Sequence, residues 1–224
     1  MSGCLLHVSH KKYLTLDDWS NNILPMTRAT HHTDTREHLL ATAERIILGK
    51  GFAAVGLAEI LQTAGVPKGS FYHYFKSKEG FGVDLLERYF EQYDERLKQL
   101  FVGCEGTARE RLLKYFAGWL NNHACSAPIC LAVKLAAEVS DLSEPMREAL
   151  SEGMDVVMKR LSVTILDGQA DGSLSLALDA EKTARSLYSL WVGATLLYKV
   201  QQTLAPLEFA MQQTEMLLTA PAAK

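Results

Sequence analysis

The sequence predicts an all-α protein. Apolar residues recur at helical spacing along most of the chain, as at Leu39, Ala43 and Ile47, which lie at positions i, i+4 and i+8. No segment alternates apolar and polar residues strongly enough to indicate a strand. Glycine and proline separate the apolar stretches, so the chain divides into a series of helices joined by turns.

The ends of the predicted helices follow from residues that cap or interrupt them. Asp34 or Thr35 caps the first helix, which stops at the Gly-Lys-Gly run of residues 49–51. Ser77 caps a long amphipathic helix that continues to about Phe101. Further helices are predicted at about 107–124, 129–140, 144–168, 179–203 and 206–218, with glycine, proline and Asp-Gly sequences between them.

Composition and charge exclude several classes of protein. The 224 residues are 48% apolar and 22% charged, which is enough to bury a sizeable core. No stretch approaches the roughly 20 apolar residues of a membrane span, and the polar first residues do not form a secretory signal. The net charge of −3 is uneven, because residues 28–80 carry +2 and residues 81–224 carry −5. We expect a cytoplasmic protein that presents its mildly basic end to DNA.

The first 33 residues are predicted to be an arm that is partly disordered. Residues 1–25 have little periodicity, whereas the sequence after Met26 is typical of a short polar arm that leads into a helix. We interpret Met26 as the native start and residues 1–25 as an upstream extension. The alternative is a genuine N-terminal element.

The four cysteines are too few and too scattered for a disulfide scaffold. In a reducing cytoplasm each starts as a thiol, for which packing or redox sensing is a more common role than cross-linking. The spacing of His123, Cys125 and Cys130 matches no familiar zinc pattern, and no third group is evident to orient a nucleophile. We therefore expect no enzyme activity, no catalytic residue, no metal and no cofactor. The cysteines are Cys4, Cys104, Cys125 and Cys130.

Residues 57–75 have the pattern of a helix-turn-helix. Gly65, which tolerates a left-handed conformation, ends a first short helix, and Pro67, whose fixed φ suits a first turn, starts a second. Such a motif presents polar groups of its second helix to the major groove of DNA. Lysine and tyrosine suit phosphate oxygens, and lysine, serine and histidine can also reach base edges. The second helix offers Lys68, Ser70, Tyr72 and His73 outward and Phe71, Tyr74 and Phe75 as candidates to face inward.

The stretch of residues 51–86 resembles the DNA-binding domain of the TetR family. That family's hallmark is Ala-Gly-Val, a glycine, an aromatic pair ending in Phe, and Lys-x-Lys-Glu, which here are residues 64–66, 69, 72–75 and 76–79. The resemblance implies a TetR-like nine-helix architecture, in which a three-helix DNA-binding domain and a linker helix precede a C-terminal dimerisation bundle. The predicted regions are an arm at 1–33, a helix-turn-helix domain at 34–80, and a sensing and dimerisation domain at 81–224.

The same resemblance assigns DNA contacts to particular residues. Lys78, at the start of the fourth helix, becomes a phosphate contact that the positive end of that helix strengthens. Gly56 stands where the family often has serine or threonine, so a phosphate contact there would come from the backbone alone. For the lysine, serine and histidine of the second helix, the alternative is a solvated face. The predicted DNA-binding residues are Lys68, Gly69, Ser70, Tyr72, His73 and Lys78.

A homodimer on palindromic double-stranded operator DNA is the expected assembly. A single DNA-binding head makes few base contacts, whereas two heads on a two-fold axis contact both halves of a palindrome. The helices predicted at about 179–203 and 206–218 are the candidates for the dimer face, because they are the most apolar.

The C-terminal half resembles the NemR-type subgroup of the TetR family. The matching stretches are ICLAVKL at 129–135, EVSDLSE at 138–144 and LYSLWVGATLLYKV at 187–200. Repressors of that subgroup respond to electrophiles and oxidants through a cysteine. The resemblance therefore implies that Cys130 is the sensing thiol and that its modification releases the operator.

The position of Cys130 supports this role from the residues themselves. It lies in the first turn of the helix predicted after Pro128, where free N–H groups and the positive helix end favour a thiolate. Lys134, one turn on, and Lys199, from a distant apolar helix, are candidates to stabilise the anion, and Cys125 could resolve an oxidised Cys130 as a disulfide. The alternatives are a small buried hydrophobe for Cys130 and a surface-reaching lysine for Lys199.

A repressor of the same fold that binds a small apolar inducer reversibly is the alternative function. Large side chains in the C-terminal helices could line a ligand pocket as easily as a core. A reversible inducer would act without Cys130, whereas a reactive electrophile or oxidant would need it. The candidate pocket residues are Trp119, Met154, Met158, Tyr188 and Trp191.

Overall fold

The computed structural model describes residues 31–124 and 130–219, which form nine α-helices and no strand. The prediction of an all-α protein is confirmed. Residues 1–30 of the predicted arm, with Cys4 and Met26, lie outside the described residues, as do Cys125 and the side chain of His123, whereas residues 31–33 of the arm form the start of the first helix. The helices are α1 (His31–Lys50), α2 (Leu57–Ala64), α3 (Lys68–Tyr74), α4 (Lys78–Gly103), α5 (Ala108–Ala124), α6 (Leu131–Val139), α7 (Glu144–Ala170), α8 (Ala180–Gln201) and α9 (Ala205–Leu217).

Two predicted helix starts are wrong by a few residues. The first helix begins at His31 rather than after Asp34 or Thr35. Residues 31–35 contain no glycine or proline that would interrupt the helix. The helix predicted at about 129–140 begins at Leu131, with Cys130 as its N-cap at φ −45° and ψ 127°. Cys130 therefore precedes the first turn instead of lying within it.

Helices α1, α2 and α3 form a small N-terminal unit, here called the head, whose core is aromatic. Phe71 of α3 is fully buried, and its ring centroid lies 5.0 Å from that of Phe75 and 5.3 Å from that of Phe81. Phe81 belongs to the first turn of α4, so this cluster joins α3 to α4. Burial of several aromatic rings is among the largest stabilising contributions available to so small a unit.

Charged contacts attach α1 to α4 along its N-terminal half. The guanidinium of Arg88 donates to Glu37 at 2.7 Å and to Glu44 at 2.6 Å, and its side chain is only 13% exposed. Arg36 donates to Asp84 at 2.7 Å. Because a planar guanidinium fixes the direction of each bond, the head is held to α4 in a defined orientation.

The C-terminal bundle is built around close contact between α4 and α7. Gly153 of α7 lies against the ring of Phe90, and a Cβ placed there would approach that ring to 2.0 Å. On the far side of the bundle, Trp191 of α8 stacks on Phe116 of α5 at 5.3 Å and donates its indole N–H to Thr214 of α9 at 2.9 Å. None of the helices among the described residues is long and apolar enough to cross a membrane.

An ion pair between Asp94 of α4 and Arg160 of α7 supports the same contact. Arg160 Nη2 donates to both carboxylate oxygens, at 2.8 and 3.0 Å, and Arg160 Nε donates at 3.0 Å. Burial by itself would raise the pKa of Asp94, but the hydrogen bonds from Arg160 and Lys98 lower this pKa below its usual value. The carboxylate is therefore more acidic in the folded state than in the unfolded chain.

We expect Arg160→Met to lower the free energy of unfolding at pH 6 by about 1–2 kcal/mol, because a partly buried charged pair is broken. A lowered folded-state pKa adds stability above the unfolded value of about 4, and this contribution is lost as the pH falls through the folded value. The difference in free energy of unfolding between wild type and variant, measured with urea, should therefore decrease from pH 6 to pH 3. Arg185→Met, which removes an exposed pair with Glu181, is the control and should change little at either pH. A difference that is constant with pH would contradict the assignment.

Candidate DNA interface and thiol site

The turn between α2 and α3 has the geometry that a helix-turn-helix requires. Gly65 adopts φ +66°, and its N–H bonds to carbonyls of the last turn of α2. Pro67 caps α3 with φ −61°. Gly56 precedes α2 in an extended conformation and caps it without a side-chain hydrogen bond, as its missing side chain predicts.

The structure separates the residues of α3 into an outer and an inner face. Phe71 is buried, and Phe75, which follows the helix, is also buried, whereas Tyr74 is half-buried. Tyr72 is 54% exposed, and Lys68 Nζ lies 5.9 Å from the centroid of its ring. Of the residues predicted to contact DNA, Lys68, Gly69, Tyr72 and His73 are exposed and Ser70 is half-buried.

Lys78 lies apart from α3, at the first residue of α4. Ser77 caps this helix by accepting a hydrogen bond from the N–H of Gly80 at 3.0 Å. The ammonium of Lys78 donates to the carbonyl of Phe52 at 3.1 Å and lies 4.9 Å from the centroid of the Phe52 ring. In the absence of DNA, the side chain of Lys78, which is the predicted phosphate contact, thus binds the turn that follows α1.

Cys130 is half-buried at the N-cap of α6, but its thiol does not cap the helix. Its Sγ shares a hydrogen bond of 2.9 Å with the hydroxyl of Tyr89, a residue of the linker helix α4. In this conformation the sulfur accepts no hydrogen bond from the free N–H groups of α6, although Cys130 stands at the positive end of that helix. The contact that replaces them joins α6 to α4.

Four phenols, three of them buried and one half-buried, lie near enough to this thiol to interact with it electrostatically, and the sequence identified only Tyr188 among them, as a pocket residue. Burial raises the pKa of all four, and negative charge on Cys130 raises each further. The hydroxyls therefore stay protonated and can donate hydrogen bonds, as between Tyr93 and Tyr115 at 2.8 Å. The i, i+4 spacing of two tyrosines on α4 was the available sequence signal. The four are Tyr89, Tyr93, Tyr115 and Tyr188.

The two lysines proposed as partners of Cys130 occupy different places. Lys134 donates to the carbonyls of Leu48 and Gly49, the second of these at 2.8 Å, at the end of α1. Burial and then the nearby charge of Lys199 lower the pKa of Lys134. Lys199 is exposed on α8, and its charge is near enough to α6 to repel that of Lys134. Cys104, at the end of α4, is half-buried.

Three of the five candidate pocket residues pack against one another in the core. The ring centroids of Trp119 and Trp191 are 5.9 Å apart, and those of Trp119 and Tyr188 are 6.5 Å apart. Met154 is half-buried, and so is Met158, which faces a shallow surface depression with charged walls. Trp191 is fully buried, so these aromatic rings contribute to the core of the bundle.

The helices predicted to form the dimer face carry exposed apolar side chains. Six such residues lie on α8 and α9, and three of them, Phe209, Met216 and Leu217, line a groove between these two helices. Contiguous exposed apolar surface of this kind marks protein–protein contacts. The exposed apolar residues of α8 and α9 are Leu196, Leu197, Val200, Phe209, Met216 and Leu217.

Comparison with known proteins places this arrangement in a family. Residues 39–82 match the family model for bacterial regulatory proteins of the tetR family, and residues 106–214 match that for the tetracyclin repressor-like C-terminal domain. The chain is 45% identical over 199 residues to the HTH-type transcriptional repressor NemR of Escherichia coli (strain K12), covering 88% of this chain and all of that protein. It is 30% identical over 176 residues to the repressor DhaR of Mycobacterium sp. (strain GP1), covering 79% and 88%.

The solved structures agree with this placement. The crystal structure of E. coli NemR in its reduced form superposes with a TM-score of 0.81 at 46% identity, over 85% of this chain and 100% of that one. NemR matches over 88% of this chain in sequence and 85% in structure, so the likeness is not confined to the DNA-binding head. The chain belongs to the TetR family of bacterial regulatory proteins.

Proposed function

We propose that this TetR-family DNA-binding protein is a transcriptional repressor that releases its operator when Cys130 is modified by an electrophile or oxidant. The observation that supports it most is the hydrogen bond between Cys130 and Tyr89, because it connects a thiol to the helix that follows the DNA-binding head. The identity to NemR over most of the chain supports the repressor class. A protein that acts on operator DNA would work in the cytoplasm.

The exposed side of α3 supplies the DNA contacts in this proposal. Lys68 and Tyr72 donate to phosphate oxygens, while Ser70 and His73 reach base edges in the major groove. The backbone of Gly69 allows close approach to the duplex. Lys78 leaves the carbonyl of Phe52 for a phosphate, at the positive end of α4.

Dimerisation through α8 and α9 places two heads on one operator. The exposed apolar residues of these helices would be covered by the same residues of a second copy. Two heads then bind one palindrome jointly, so a small change in their separation weakens binding by a large factor.

The thiol chemistry is the addition of sulfur to an electron-poor carbon. With N-ethylmaleimide, the thiol proton leaves to solvent and the sulfur electron pair forms an S–C bond. The alkene π bond breaks, and the carbon next to the carbonyl takes a proton from water. In the thiolate state the hydroxyl of Tyr89 donates to the sulfur and stabilises its charge.

An adduct on the side of Cys130 that faces Tyr89 displaces the Tyr89 hydroxyl, because 2.9 Å between oxygen and sulfur leaves no room for a new group there. The displacement acts on α4, which is tied to α1 by Arg88 and Arg36. The linker helix then swings and the separation of the two heads no longer fits the operator.

The test is operator binding before and after N-ethylmaleimide, with DNA from the region upstream of the gene. We expect the wild type to lose affinity by about tenfold or more on labelling, a typical size for allosteric coupling, and Cys130→Ser to keep its affinity. Cys104→Ser is the matched control and should respond as the wild type does. Mass spectrometry identifies the labelled cysteine.

Two other results separate the alternatives. If Cys130→Ser releases the operator as the wild type does, another cysteine carries the response and the assignment of Cys130 is wrong. If neither protein responds, reversible binding of a small apolar inducer becomes the leading function. Substitution of the candidate pocket residues would then be tested next.

A further inference from the structure

Two helices hold the turn that follows α1, here called the junction turn (Gly51, Phe52 and Ala53). The carboxylate of Glu138 on α6 accepts hydrogen bonds from the N–H of Phe52 at 3.1 Å and from that of Ala53 at 2.5 Å. The ammonium of Lys78 on α4 binds the carbonyl of Phe52 from its own side. The junction turn is therefore the place where α1, α4 and α6 meet.

A second residue of α6 binds the end of α1 beside this turn. Lys134 donates to the carbonyls of Leu48 and Gly49, which belong to the last turn of that helix. Carbonyls at a helix C-terminus lack partners within the helix and carry partial negative charge. The ammonium of Lys134 therefore complements the carbonyls at the end of α1, and the carboxylate of Glu138 complements the N–H groups of the junction turn that follows.

Gly51 allows this arrangement for two reasons. Its φ of +93° lies in the region that side chains disfavour, and a Cβ there would come within 2.8 Å of Glu138 Oε2. The turn is therefore shaped to receive the carboxylate closely.

The spacing along α6 relates these contacts to the thiol. Cys130, Lys134 and Glu138 lie at i, i+4 and i+8, which places them along one side of the helix. The carbonyl of Cys130 accepts the N–H of Lys134 at 3.0 Å, so the N-cap and the first turn move together. One short, rigid helix thus has the thiol at its start and the head's contacts along its length.

We propose that Lys134 and Glu138 are coupling residues that carry the state of Cys130 from α6 to the junction turn, and from there through Lys78 to the operator. This inference rests on the proposed function of Cys130. Movement of α6 changes the position of the Phe52 carbonyl, which is the group that holds Lys78. The phosphate contact and the orientation of α1 then change together.

The experiment compares the ratio of operator dissociation constants with and without N-ethylmaleimide in the wild type and in the double variant Lys134→Met, Glu138→Gln. Coupling of about 5–150-fold is typical of allosteric proteins, and we expect the double variant to retain at most about a fifth of the wild-type ratio. Mass spectrometry should show that Cys130 is labelled to the same extent in both. An undiminished ratio would overturn the inference.

The control is a double variant with the same two types of substitution, Lys→Met and Glu→Gln, at positions far from the head. Lys114→Met removes an exposed lysine of α5, and Glu105→Gln removes an exposed glutamate of the loop between α4 and α5. This variant should keep the wild-type ratio. If it loses the ratio as well, the loss does not depend on contacts with the junction turn and the coupling role is wrong.

Hydrogen exchange of the Phe52 and Ala53 amides tests the inference separately from operator binding. We expect labelling of Cys130 in the wild-type protein to speed exchange at both amides, because their bonds to Glu138 loosen. If exchange is unchanged, α6 does not act on the junction turn, and the inference fails whether or not the operator is released. If exchange rises while the operator stays bound, the coupling stands and the proposed release is wrong. This measurement also decides the case if the double variant does not fold.

Discussion

Replacing Phe71 with alanine is expected to destabilise the protein by about 3–5 kcal/mol, the usual cost of removing a fully buried aromatic ring. The ring contacts both Phe75 and Phe81, so its loss leaves a cavity between α3 and α4. Urea unfolding followed by circular dichroism measures this change. Operator binding should be lost with it, because α3 would no longer be held in place.

The next residue provides the matched control. Tyr72 is 54% exposed, so Tyr72→Ala should change the free energy of unfolding by no more than about 0.5 kcal/mol, as surface substitutions usually do. Under the proposed function it should still weaken operator binding, because a phosphate contact is removed. A Tyr72→Ala variant that binds operator as tightly as the wild type would contradict the placement of α3 in the major groove.

Gly153→Ala is expected to destabilise the bundle by about 1–3 kcal/mol or more, as overpacking of a well-filled core does. The added Cβ would approach the ring of Phe90 to 2.0 Å, so α4 and α7 must separate or the ring must move. Since α4 carries Tyr89 one residue earlier, the same substitution should change how fast Cys130 reacts with N-ethylmaleimide. Thermal unfolding and labelling rate measure the two effects.

Gly118→Ala is the control for this substitution. Gly118 lies within α5, and a Cβ there meets no atom within 4 Å. Alanine is favoured over glycine within a helix by roughly 0.5–1 kcal/mol, so this variant should be slightly more stable than the wild type. Equal effects of the two substitutions would show that helix propensity, and not the contact with Phe90, decides the result.

The helix-turn-helix could be predicted from the sequence because its determinants are local. Gly65 and Pro67 set the turn between α2 and α3 through their own backbone preferences, and the structure has that turn. The nine helices follow in the same way from apolar spacing and breaks. The start of α1 was misplaced because several polar residues in sequence can each cap or continue a helix.

The surroundings of Cys130 could not be predicted, because they come from residues far apart in the chain. Tyr89 lies 41 positions from the cysteine, and the partners of Lys134 lie about 85 positions away. Helical spacing predicts which residues share a face but not which helix that face meets. Lys134 was accordingly assigned to the thiol one turn away, whereas the structure gives it the carbonyls at the end of α1.

The sequence by itself therefore determined the all-α class, the helix-turn-helix, the outward residues of α3 and the candidate thiol. The first three depend on backbone preference or on periodicity within a few residues, whereas the candidate thiol follows from the resemblance of the C-terminal half to a family subgroup. Only the tertiary structure decided that Cys130 meets Tyr89 and that α6 binds the junction turn. These contacts depend on how helices cross, which the packing of the whole core sets and no short stretch of sequence encodes.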